Sequence, residues 1–100
     1  MMETLEQEVI EWAEQKGIFD MSTNVDQMKK MLEEVEELDY EVHYYDSLAN
    51  IQGELGDVLV CAVIQAKFHG LSLSGCLNQA VDKITKRTGQ MKNGVFVKDS

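Results

Sequence analysis

The chain runs for 100 residues without a single proline. Proline removes a backbone donor and clashes with the preceding helical turn, so its absence leaves helices free to continue and disfavours a loop-rich all-β fold. Apolar spacing marks four amphipathic stretches. Residues 3–16 carry Leu5, Val9, Trp12 and Ala13 at helical intervals, with Thr4 and Gln7 spaced as a capping box and Gly17 as a stop. Residues 25–45, with Asn24 as cap, present Met28, Met31, Leu32, Val35, Leu38, Val42 and Tyr45. Residues 48–69, between Ser47 and Gly70, turn Leu48, Ile51, Leu55, Val58, Leu59, Ala62 and Ala66 inward. Residues 73–88, between Ser72 and Gly89, do the same with Leu73, Cys76, Leu77, Ala80, Val81 and Ile84. The chain ends with turn chemistry at Asn93-Gly94 and a short β-type run, Val95 to Val97. Short connections favour antiparallel neighbours. The expectation is one all-α domain over residues 1–100, a four-helix bundle with a short extended C-terminal tail.

Apolar residues make up 44% of the chain, enough for one core. Residues 59–64 are apolar without a break, and a helix that apolar is usually covered on more than one side. A protomer this small does not supply that cover alone, so a homodimer or homotetramer is expected, with the third helix in the interface. No segment reaches the roughly 18 consecutive apolar residues of a membrane span, and no basic region precedes an apolar run at the start. A soluble, cytoplasmic protein without a membrane partner is expected. Cys61 and Cys76 lie in apolar stretches and lack metal-type or CxxC spacing, which reads as two buried free thiols.

The charge is uneven along the chain. Residues 1–60 hold 16 acids against Lys16, Lys29 and Lys30, whereas residues 61–100 hold Asp82 and Asp99 against Lys67, Lys83, Lys86, Arg87, Lys92 and Lys98. An acidic body argues against a nucleic-acid polymer, because polymer binding draws on many Lys and Arg contacts. A small anion held between a metal and the basic tail is compatible with it.

The acids have a pattern. At about 100° per residue, Glu34, Glu37 and Glu41 form a stripe beside the seam of Val35, Leu38 and Val42. Glu54 and Asp57 border the seam of the third helix in the same way. Packing seam against seam brings Glu34, Glu37, Glu54 and Asp57 together, with 16 residues between the motifs to make the turn. Like charges at helical spacing repel, by roughly 0.2–0.5 kcal/mol per exposed pair. A divalent cation resolves the conflict, and carboxylate oxygens without thiolate or imidazole select magnesium or manganese over zinc. A solvated acidic helix face is the plain alternative. Ferritin-like di-iron sites need Glu-x-x-His on two helices, and neither His43 nor His69 has an acid three residues before it. Neither GxxxxGK nor GxGxxG occurs, which excludes P-loop and Rossmann sites.

EEVEE at 33–37 followed by ELGD at 54–57 resembles the EExxE...ExxD signature of the all-α nucleoside triphosphate pyrophosphohydrolases, in their MazG-like branch. WAEQKG at 12–17, then Gln27, Lys30 and Leu32, and the segment KITKRTGQMKNGVFVK at 83–98 are similar to that branch too. The resemblance implies a magnesium-dependent hydrolase that cleaves an NTP or dNTP to the monophosphate and pyrophosphate. It implies Glu34, Glu37, Glu54 and Asp57 as metal ligands, Glu33 as a supporting or water-positioning carboxylate, and Lys83 and Arg87 as phosphate contacts. Glu36 stands where a small residue is frequent in the family. Lys30, one turn before Glu34, is an ion-pair partner or a phosphate contact. Trp12 lies on the apolar stripe of the first helix, a core position, although its ring can also stack on a base. The Asn93-Gly94 turn is a candidate to close over the nucleotide. The alternative is a non-catalytic helical interaction or nucleotide-binding protein, suggested by the broad apolar surface of the third helix.

Overall fold

The computed structural model describes residues 2–100. The chain is mostly helical: α1 (Met2–Gln15), α2 (Ile18–Met21), α3 (Asn24–Tyr40), a π-helical turn (Glu41–Tyr45), α4 (Leu48–Phe68) and α5 (Leu73–Ile84), then a hairpin of β1 (Gly89–Lys92) and β2 (Val95–Lys98). Its centre is the antiparallel pair α3 and α4. The Gln65 side chain near the end of α4 donates to the Asn24 carbonyl at the start of α3 (3.0 Å), and Asn50 at the start of α4 donates to the Glu41 carboxylate at the other end (3.2 Å).

The caps explain the boundaries. Thr23, not Asn24, caps α3, its hydroxyl accepting the Asp26 N–H at 3.0 Å, while the Asn24 carbonyl serves Gln65. Ser47 caps α4 as its position indicates, accepting from Asn50. The helix expected over 25–45 remains α-helical only to Tyr40; the next turn widens to a π-turn closed by the Asp46 N–H on the Glu41 carbonyl at 2.7 Å. Asp46 then takes a left-handed conformation, φ 52°, which a short polar side chain tolerates, and the chain reverses within two residues. Between Gly17, whose φ of 76° ends α1, and Thr23 lies the short helix α2, which apolar spacing did not indicate.

One long-range cap joins the two ends of the chain. Glu6 on α1 is 5% exposed, and its carboxylate accepts the N–H groups of Leu73 (3.1 Å) and Ser74 (2.6 Å), while the Ser72 hydroxyl accepts Gly75 N–H (3.1 Å). Three of the unpaired donors at the start of α5 are thus satisfied, and a negative charge sits at the positive end of its dipole. Helix α5 stops at Ile84 rather than at residue 88: the Lys86 and Arg87 N–H groups turn to the carbonyls three residues back, Lys83 (3.3 Å) and Ile84 (3.2 Å), and the ladder from Gly89↔Lys98 to Lys92↔Val95 follows. The Asn93-Gly94 turn closes that hairpin with both residues at positive φ, as the sequence anticipated.

The core of the protomer is thin. Ala13, Cys61, Val63, Ile64 and Ala66 are its buried apolar residues, and much of the expected inward stripe is open: Leu48 is 82% exposed, and Leu32, Leu55 and Leu59 are about half exposed. Trp12, expected in the core, is 48% exposed, and Cys76, expected buried, lies on the outer surface of α5, which packs only lightly against α1 and α4. The chain exposes 7636 Å². A folded monomer of 11.3 kDa is expected to expose about 5,700 Å². The radius of gyration is 15.9 Å, against about 13 Å for a compact chain of this length.

Candidate functional site

The α3–α4 packing turns the acid stripes toward each other. Oxygens of Glu34, Glu54 and Asp57 come within 4.8 Å of one another. Glu34 is 8% exposed; one of its oxygens accepts from the Lys30 ammonium at 3.2 Å, and the other, Oε2, is buried with no hydrogen-bond partner among the described residues. Glu54 Oε2 is orphaned in the same way. Helix spacing produces this arrangement: Lys30 lies one turn before Glu34, and Glu54 and Asp57 are three residues apart on the facing helix.

Glu37 stands beside the trio and interacts with two of its members. The Glu34 charge first, then reduced solvation and the Glu54 charge, push its carboxyl above the ordinary carboxylate range. Lys30 is held above its usual value by its hydrogen bond to Glu34 and by that residue's charge. The expected convergence of acids from two helices is therefore present, with Glu34, Glu54 and Asp57 sharing one point and Glu37 at its edge. Orphaned carboxylate oxygens in an all-oxygen donor set suit a hard divalent cation, which removes both the repulsion and the unsatisfied acceptors.

Two clefts share the acids of the cluster. One, of about 390 Å³, is lined by Trp12, Gln27, Lys30, Glu34, Asp57 and Cys61. The half-exposed indole of Trp12 thus faces the acids, so its core assignment from the sequence gives way to a place on the site's wall. A further cleft of about 400 Å³ on Trp12 also includes Asp57. Gln27 enters the first cleft with its amide donating to the Ser22 hydroxyl at 3.0 Å. Cys61 has its thiol raised by burial and by the Glu34 and Asp57 charges, against an opposing pull from Lys30. The other acid-bearing cleft, of about 520 Å³, is lined by Glu33, Glu36, Glu37, Tyr40, Glu41 and Glu54. Glu33 lies outside the trio, 3.7 Å from Lys30.

The remaining candidates lie elsewhere in the protomer. Lys83 is in the last turn of α5, Arg87 follows that helix, and Asn93 is in the hairpin turn; none lines either acid-bearing cleft. Tyr40 and Cys61 are among the lining residues that the sequence did not assign to the site. Tyr40 is three residues after Glu37 and so shares its face, a signal that was available; Cys61 follows Asp57 by four and was hidden inside an apolar run.

Comparison with protein families matches residues 22–91 to the MazG nucleotide pyrophosphohydrolase domain. The matched span contains both acid motifs and most of the C-terminal basic segment. No curated protein and no solved structure gives a significant match to the chain. Among the described residues, no single helix is long and apolar enough to cross a membrane.

Proposed function

Because the chain belongs to the MazG nucleotide pyrophosphohydrolase domain family, we propose that it is a magnesium-dependent enzyme hydrolysing a nucleoside or deoxynucleoside triphosphate between the α and β phosphates. The products are the monophosphate and pyrophosphate. The observation that carries this reading is the pair of buried, partnerless carboxylate oxygens on Glu34 and Glu54, within a trio whose oxygens lie 4.8 Å or less apart. Glu34, Glu54 and Asp57 would hold the cation, with Glu37 completing the set from the edge. Magnesium, with manganese as a substitute, supplies when bound the charge neutralisation and water orientation that this cleavage needs.

The chain's own residues have separable tasks. Lys30 fixes the Glu34 carboxylate through its 3.2 Å contact and keeps a positive charge at the mouth of the Trp12 cleft. Trp12 offers its indole as a stacking surface for the base. Glu33, outside the trio and lining the neighbouring cleft, is assigned the task of orienting water. Lys83 and Arg87, four residues apart, give charge-assisted donors to the leaving pyrophosphate, and Asn93 lies in the turn that would approach the nucleotide. The excess exposed surface and the half-open stripes of α3 and α4 support a homodimer or homotetramer as the working unit. A cytoplasmic location belongs to the same proposal.

A panel of NTPs and dNTPs with magnesium should yield pyrophosphate and no orthophosphate, and Glu37→Gln should lose at least about 100-fold in turnover with its circular dichroism unchanged. Orthophosphate as the sole product would refute the assigned bond, and a monomer by sedimentation would remove the oligomer.

A further inference from the structure

Helix α1 is oriented on the protomer by a polar contact. Its buried residues are Glu6 and Ala13, whereas Leu5 and Trp12 are exposed. An apolar face this thin lets a helix slide or roll at small cost, because burial of apolar surface has no direction. A carboxylate is different. Both Glu6 oxygens are engaged, Oε2 by the Leu73 N–H at 3.1 Å and Oε1 by the Ser74 N–H at 2.6 Å, and two directional bonds from consecutive residues fix the roll and the register of α1 together.

That register sets where Trp12 stands. Trp12 lies six residues further along the same helix, about 9 Å at the α-helical rise. With Asp57 and Val60 of α4 it lines both the cleft of about 390 Å³ and the one of about 400 Å³, and Glu6 lines neither. Past Trp12 the helix ends at Gly17, whose φ of 76° turns the chain into α2. The indole is therefore carried on a short helix that is pinned at Glu6 and leaves through a left-handed glycine.

We infer that Glu6 is a positioning residue for nucleotide binding: through α1 it holds the indole of Trp12 against Asp57, so that the first turn of α5, 67 residues away, governs how well a base is stacked. The acids of the trio sit on α3 and α4 and keep their places when the latch is released. The role in binding rests on the reading of Trp12 as the stacking surface of a hydrolase; the latch between Glu6 and Trp12 does not.

Glu6→Ala should raise KM for a triphosphate substrate about 10-fold, the scale of one lost base–aromatic stack, with kcat within about twofold, because stacking far from the cleaved bond contributes equally to ground and transition states. Glu6→Gln, which keeps one acceptor, should fall between wild type and Glu6→Ala. Ser72→Ala is the control: it removes a cap from the same end of α5 without touching Glu6, and should melt lower with wild-type KM. Trp12 is the single tryptophan, so its fluorescence reads the latch without turnover. In EDTA and without nucleotide, Glu6→Ala should shift the emission to the red and quench more readily with acrylamide, and Ser72→Ala should do neither. Should Glu6→Ala not fold, Glu6→Gln is set against Ser72→Ala by the same readouts. Wild-type KM in the Glu6 variant, or a KM rise matched by Ser72→Ala, overturns the role in binding, and an unchanged Trp12 emission overturns the latch. A wild type that cleaves no triphosphate removes the hydrolase reading and the role in binding with it, while the emission still decides whether Glu6 places Trp12.

Discussion

Removing a charge from the acid trio should stabilise the metal-free protein. In Glu54→Gln the side chain keeps its shape but loses the charge that faces Glu34 and Asp57 within 4.8 Å. Two unit charges at that separation repel by about 0.9 kcal/mol in a water-like medium and about 3.5 kcal/mol at an effective dielectric near 20. The site opens into the adjoining clefts and Lys30 partly neutralises Glu34, so the low end applies; relief of two such pairs stabilises by about 1–2 kcal/mol. The introduced amide can also donate to a neighbouring carboxylate, where the wild type has an orphaned oxygen. For a chain of this size, that is a rise of about 5–15 °C in melting temperature. The assay is thermal unfolding followed by circular dichroism in EDTA, at fixed protomer concentration because association contributes to apparent stability. Repeated with magnesium at about 100 times its Kd, the wild type should gain about 2.7 kcal/mol and the variant much less, so the order narrows or inverts. A variant that melts below wild type in EDTA, or a wild type indifferent to magnesium, would show that the trio is not a strained cation site.

Two further outcomes test other parts of the molecule. Glu6→Ala leaves the Leu73 and Ser74 N–H groups without their acceptor and should cost about 2–3 kcal/mol, whereas Glu6→Gln, which keeps one oxygen, should cost roughly half as much in the same melts. The raised Glu37 carboxyl means that the folded chain holds its proton more tightly than the unfolded chain does. Its stabilising influence is then present at low pH and disappears as pH rises from the ordinary carboxylate value through the raised one. In EDTA, acidification from neutrality into that window should raise the melting temperature; magnesium or Glu37→Gln should flatten the trend, and a trend of opposite sign would refute the assignment.

The features legible in the sequence are those set by neighbours within a turn or two. Ser47 and Ser72 as caps, the extent of α4 and the Asn93-Gly94 turn follow from local hydrogen bonding and backbone preference, which act over three or four residues. The meeting of Glu34 with Glu54 and Asp57 was legible because both acid stripes border apolar seams, and seams pack together. Trp12 and Cys76 were misplaced for one reason: an apolar stripe tells which face a helix prefers to bury, not whether a partner element arrives to bury it. The π-turn at Glu41–Tyr45 escaped because Val42 and Tyr45 continue the helical apolar spacing, which does not distinguish a widened turn from an α-helical one.

From its amino-acid order alone the chain was committed to long helices with acid stripes along their apolar seams, because a period of 3.6 residues is a property of the segment itself. Only the assembled protomer decided which acid is buried beside Lys30, that Trp12 lines the cleft beside it, and that Glu6 caps a helix 67 residues away. Burial and electrostatic strain depend on what other segments bring near a side chain, and no local spacing encodes that distance.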